Sequence, residues 1–249
     1  RARRGISAGR SWTSRCVLVD QATNGRQGSC HHRVSALGIY MLQYITICSM
    51  KRRNSTQAIM NIAAENAGFV TASDVAARGI QNRELAAAVS RGDLVKIDRG
   101  LYCTPETWED EYVTAQHRFA RGIFSHDTAL YLLGLSDSAP ESLTMSFPRG
   151  YNPSSAKKMG IITKSSPDEL HGFGCLDIAT PYGNVVRAYD AERTLCDMLR
   201  GTTSPDVQLL SPAFRAYVSS SGRSLPTLQL YAEKLGVAAK VRKYMEVLL

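Results

Sequence analysis

The feature that most constrains this chain is a run of punctuated periodicities between Asn54 and Cys103. Ile59, Ile62, Ala63 and Ala67 recur at helical spacing behind a possible N-cap at Asn54 or Ser55, and Gly68 follows the last of them. Thr71 or Ser73 suits the cap of a very short second helix, Asp74–Arg78, closed by Gly79. Asn82 opens a third helix that runs to Arg91 and meets Gly92. Leu94–Ile97 and Leu101–Cys103 then flank the turn Asp98-Arg99-Gly100, the signature of a short hairpin. Three helices, the last two parted by a tight glycine turn, followed by a hairpin, predict a winged helix-turn-helix over residues 50–104.

Charge supports that expectation only when it is located. The chain of 249 residues carries a formal charge of +8, but residues 1–49 hold seven Arg against one Asp. Residues 50–103 hold eight basic and five acidic side chains, a net +3, and residues 104–249 are within one charge of neutral. The first segment shows no sustained period before Val34, and its apolar run to Cys48 falls short of the roughly 20 residues that span a bilayer. Its Arg- and Ser-rich, acid-poor make-up is shared by mitochondrial transit peptides. The plainer expectation is a native start at Met50, with residues 1–49 a poorly ordered or non-native extension. The six cysteines show no CxxC and no metal-ligand spacing, which fits free thiols in a reducing, cytoplasmic setting.

Beyond a polar connector at 105–110, the pattern is mixed. Helices are expected at Glu111–Arg121 and after Ser125, read as an N-cap. Strands are expected at Leu143–Phe147, Gly160–Lys164, Cys175–Ala179 and Asn184–Ala188. From Asp190 the period is helical: Asp190–Arg200, Asp206–Ser219, Leu225–Leu235 and Val237–Leu248. The expected class is therefore α+β, an N-terminal winged helix-turn-helix followed by an α/β C-terminal domain, 111–249, that ends in several helices.

In a helix-turn-helix the second helix of the motif lies in the major groove with its N-terminal residues at base edges. With Leu85, Ala88 and Val89 facing inward, Asn82, Arg83, Ala86, Ala87, Ser90 and Arg91 are left outside. Arg pairs bidentately with guanine and Asn with adenine, which makes Arg83 and Asn82 the candidates for base reading. Ala86 and Ala87 permit close approach. Arg91, Lys96 and Arg99 suit phosphates, and Lys51, Arg52 and Arg53 a basic arm.

Catalytic patterns are poor by comparison. Ser125-His126-Asp127 is contiguous, whereas a triad is a spatial constellation. His31-His32 lies in the first segment, and His117 and His171 have no partner at metal-binding spacing. No [DE]-x-Lys of a restriction-type nuclease occurs. The only Gly-Ser, Gly28-Ser29, lacks the paired carboxylates a nucleotidyltransferase needs, and no glycine-rich phosphate loop is present. No catalytic residue, cofactor or metal is expected.

The segments FVTASDVAARGIQNRELAAAVSRGDLVKIDRGLY (69–102), IFSHDTALYLLGLSD (123–137), LTMSFPRG (143–150), VVRAYDAERTLCDMLR (185–200) and LQLYAEKLGVAAKVRKYMEVLL (228–249) together resemble the AbiEi antitoxins of bacterial type IV toxin–antitoxin and abortive-infection systems. The resemblance implies a cytoplasmic, non-enzymatic protein with two tasks. The winged helix would repress its own operon by binding inverted repeats in double-stranded operator DNA. The C-terminal domain would counteract a nucleotidyltransferase-like toxin without a stable complex, with no membrane involved. Asp190-Ala191-Glu192-Arg193 is the densest polar cluster of that half. It reads either as a capped helix start with Leu195, Met198 and Leu199 in the core, or with Glu192 and Arg193 as part of an antitoxin surface. Two alternatives stand beside this reading: a stand-alone winged-helix transcription regulator without a toxin partner, and a nucleic-acid-processing enzyme targeted by its helix-turn-helix.

Overall fold

The computed structural model describes residues 54–200 and 207–248, all within one compact unit. The expected extension 1–49, the basic arm Lys51-Arg52-Arg53, the His31-His32 pair and three of the six cysteines lie outside the described residues.

The described residues begin with α1 (54–65), β1 (Phe69–Thr71), α2 (Ala72–Ala77), α3 (Asn82–Arg91), β2 (Val95–Asp98) and β3 (Leu101–Cys103). These strands form an antiparallel sheet in the order β1-β3-β2, the winged-helix arrangement. Asn54 and Ser55 are already helical, and the residue ahead of them lies outside the described residues. That helix closes at Glu65 through a bond from the Gly68 amide to the Ala63 carbonyl, 2.7 Å, with Ala67 itself in the left-handed region at φ +50°. Thr71 caps α2 and closes a capping box with Asp74, so the helix starts two residues earlier than the spacing suggested. α3 has the expected bounds, ending on left-handed Gly92. Strand β1 was not anticipated: three residues are too few for an alternation to register. Ile59, Ile62, Val70, Val75, Leu85, Ala88 and Leu94 make a separate small core.

The second half holds α4 (Glu111–Arg118), β4 (Ile123–Phe124), α5 (His126–Leu132), β5 (Thr144–Pro148), α6 (Ser154–Lys158), β6 (Ile162–Ser166), α7 (Asp168–His171), β7 (Cys175–Ala179), β8 (Val185–Tyr189) and α8 (Ala191–Leu199). The helices α9 (Val207–Ser219), α10 (Leu225–Lys234) and α11 (Ala238–Leu248) follow. Strands order as β6-β5-β4-β8-β7 in a mixed sheet, with β5–β6 and β4–β8 parallel and the other pairs antiparallel. The four strands expected from sequence lie within two residues of their observed bounds. The fifth, β4, is two residues long yet central.

Two cores result. Phe124, Met145 and Phe147 of the sheet pack with Tyr112 and Phe119 from α4 and its end, Ala129 of α5 and Ala156 of α6. The C-terminal helices pack Leu195, Leu199, Leu210, Phe214, Tyr217, Leu228 and Val241 around α8. The fold is thus α+β, as expected.

Candidate nucleic-acid interface

Gly79, at φ +70°, turns the chain between α2 and α3, and the Ile80 amide returns to the Val75 carbonyl at 3.0 Å. Val75, Ile80, Leu85 and Ala88 lock the two helices together. This fixes which side of α3 looks outward. Asn82, Arg83 and Ala86 are exposed, whereas Ala87 is half-buried at the margin. The Arg83 side chain is 76% accessible and meets only Glu84 of its own helix, at 3.5 Å. Its guanidinium and the Asn82 carboxamide therefore stand ready on the N-terminal half of α3.

Other expected contact residues are already engaged. Ser90 donates its hydroxyl to the Ala86 carbonyl one turn back, 2.9 Å, so it is committed to its own helix. Arg91 donates from Nε to Asp93 Oδ2, 2.8 Å, and from its terminal nitrogen to Thr56 Oγ1, 3.1 Å. It ties α3 to α1. Lys96, on the sheet-edge strand β2, is exposed with no ion-pair partner among the described residues.

The wing does not project freely. Its tip lies on α4: Arg118 donates to Asp98 Oδ2 at 3.2 Å, and His117 Nε2 sits 3.4 Å from the Arg99 carbonyl. The Gly100 carbonyl accepts from the Ala72 amide at 2.8 Å. Only the Arg99 side chain remains exposed there. The exposed surface thus holds Asn82, Arg83 and Ala86 without partners beyond α3, Ser90 and Arg91 with the partners just given, and Lys96 and Arg99 on the hairpin.

The polar cluster at α8 is interior. Asp190 caps the helix, Oδ1 accepting from the Arg193 amide at 2.7 Å, and its other oxygen accepts from the Tyr231 hydroxyl at 3.1 Å. Glu192 is 7% exposed and accepts from the Tyr217 hydroxyl and the Ser224 amide, 2.9 and 3.0 Å. Arg193 has no exposed surface: Nε donates to Asp197 Oδ2 at 2.8 Å, and one terminal nitrogen donates to the Leu170 and Phe173 carbonyls. Its guanidinium lies 4.5 Å over the Tyr189 ring. Glu192 and Arg193 are therefore no part of a surface, because each charge is used up in holding α8 to α7, α9 and α10. Burial pushes the Asp197 and Asp190 carboxyls above the usual carboxylate range, and burial raises Tyr189 to about 12.

Ser125 occupies the N-cap position of α5 but does not cap it through its side chain. The buried hydroxyl instead accepts from Ser146 Oγ at 2.9 Å and meets His126 Nδ1 at 3.1 Å. Asp127 turns away to accept from the Thr128 amide, so the contiguous Ser-His-Asp is not a triad. Sequence reasoning also passed over Asp110, treated as connector. It is fully buried, caps α4 through Oδ1, and accepts from Thr180 and Asn184 through Oδ2 at 2.6 and 2.8 Å. A lone Asp ahead of an apolar period was the available signal.

Against this geometry, the comparisons with known proteins are specific over the winged helix. Residues 57–105 match the family model described as "Transcriptional regulator, AbiEi antitoxin". The resemblance drawn from the sequence is borne out in that segment, and the family it matches is one of regulators. No curated protein matches the chain. Among solved structures, the RV2827C protein from Mycobacterium tuberculosis is similar at 15% identity and a TM-score of 0.47, over 77% of this chain and 80% of that one.

Proposed function

We propose that the chain is a DNA-binding regulator that represses its own operon and serves as the antitoxin of a type IV pair. Residues 50–104 are the reading head and 111–249 the body that counteracts a nucleotidyltransferase-like toxin. The observation that carries the reading is the open N-terminal half of α3. Asn82 and Arg83 stand clear of the small core, on the second helix of a helix-turn-helix, within the segment that matches AbiEi regulators. Base-edge chemistry suits both side chains, and the small Ala86 lets the helix sit deep in a major groove.

Mobility-shift titration against the DNA upstream of its own gene, with a scrambled duplex alongside, tests the reading. Arg83→Ala is expected to weaken binding to the promoter by about 1–3 kcal/mol and to leave scrambled DNA nearly unaffected. Equal losses on both duplexes would reduce Arg83 to a phosphate contact, and no preference by the unaltered chain would remove the regulator reading. Co-expression with a neighbouring toxin gene tests the second task through rescue of growth.

A further inference from the structure

Behind the sheet edge, a cavity of about 260 Å³ opens between α5, β5, β6 and α8. It is lined by His126, Ser146, Lys164, Ser166, Arg193, Asp197 and Arg200, none of which belongs to the DNA-facing side of α3. The charge inside is unbalanced. Arg193 is neutralised by Asp197 at 2.8 Å, while Lys164 and Arg200 are exposed and have no ion-pair partner among the described residues. Two cations therefore line one open polar pocket without an ion-pair partner among the described residues.

His126 adds a directional donor. Its φ is +55°, a left-handed conformation that L-residues seldom adopt, and such outliers persist where the surroundings impose them, often at binding sites. Its Nδ1 is taken by Ser125, itself fed by Ser146. Nε2 has no hydrogen-bond partner, although every fully buried side-chain nitrogen and oxygen among the described residues has one, so Nε2 retains contact with solvent. Burial and the nearby Lys164, Arg193 and Arg200 hold the imidazole neutral, its pKa lowered to about 4. With the Ser125 hydroxyl donating to Nδ1, Nε2 carries the ring hydrogen.

We propose that this cavity binds a small phosphate-bearing anion: Lys164 and Arg200 supply the charge, His126 Nε2–H gives direction, and the Arg193–Asp197 pair forms a rigid wall. The volume falls just short of the roughly 300 Å³ at which small-molecule pockets begin, which suits inorganic phosphate or a compact phosphomonoester. The site is separate from the DNA-reading surface and independent of whether that surface reads an operator.

The test uses the full chain labelled with nitrogen-15 in its histidine rings. Inorganic phosphate is titrated against chloride at equal ionic strength, with glycerol phosphate in a parallel series. One imidazole, identified by its loss in His126→Asn, should shift saturably with phosphate and stay still with chloride. Lys164→Gln and Arg200→Gln, both at exposed positions, should each weaken binding about tenfold, as expected for loss of a charge-assisted hydrogen bond. Tighter binding of the ester would assign the site to a phosphomonoester, and equal or weaker binding to free phosphate. Absence of a saturable shift, or unchanged affinity in both folded glutamine variants, would overturn the proposal.

Discussion

At the scale of single residues, His126 shows how a side chain can be fixed against its own preference. Its ring is shielded and lies near Lys164, Arg193 and Arg200, all of which penalise the imidazolium. A folded pKa of about 4 against the ordinary 6.5 means that the native state binds fewer protons than the unfolded chain in that interval. The neutral ring stabilises fully above pH 6.5, and that contribution is lost as pH falls toward 4, about 3 kcal/mol in all. In urea unfolding at pH 7 and pH 4.5, His126→Asn should lose markedly less stability on acidification than the unaltered chain, since Asn does not titrate and tolerates the left-handed backbone. Parallel losses in both proteins would show that the ring protonates without cost. Nothing in the sequence marked this residue beyond its place in Ser125-His126-Asp127, because its neighbours come from β5, β6 and α8, dozens of residues away.

At the scale of elements, two positions decide how pieces are joined and what they offer. Asp110 satisfies the first turn of α4 with one oxygen and clips the β7–β8 turn with the other. Asp110→Ala is expected to cost about 3 kcal/mol, combining a lost cap with orphaned buried donors at Thr180 and Asn184. Asp110→Asn should recover only part of this, because its amide would face the Asn184 amide donor. Chemical denaturation of the three proteins measures both steps, and full recovery by Asn would mean that the cap alone matters. On the edge strand β2, Lys96 is exposed and paired across the sheet with Tyr102. Lys96→Ala should weaken promoter and scrambled DNA alike and reduce the slope of log affinity against log salt by about 1. An unchanged slope would exclude the hairpin from the phosphate contacts. The hairpin itself was legible in sequence, from two apolar runs around Asp98-Arg99-Gly100; its docking on α4 was not, since Arg118 and His117 carry no sign of their targets.

At the scale of the whole molecule, the winged helix and the mixed sheet are coupled. Phe69, Leu101 and Cys103 pack with Ile97 and with Val113 of α4. Gly68 lies so close over Thr107 that an added Cβ would fall 1.8 Å from its hydroxyl oxygen, and the Thr104 amide donates to the Gly68 carbonyl. Residues 104–118 thus finish the winged helix as much as they begin the next element. The full chain should melt in one cooperative transition, and a fragment of residues 50–108 should melt roughly 10 °C lower, at about 4–8 °C per kcal/mol for a unit of this size. Calorimetry of both decides it; a fragment as stable as the full chain would show that the halves are merely tethered.

The sequence by itself determined the local script. Helix period, caps and glycine stops placed α3 to the residue and most other elements within two, because those signals act over a few residues of contiguous chain. It also pointed to Asn82 and Arg83, whose outward placement follows from the period of α3 alone. Tertiary structure decided the rest. It decided between the two readings of Glu192 and Arg193, making them buried struts, gave Ser90 and Arg91 partners within the chain, laid the wing on α4, and set β4, only two residues long, between β5 and β8. The physical reason is common to all of these: a charge or a short strand acquires its role from partners distant in sequence, and only the folded chain brings those partners together.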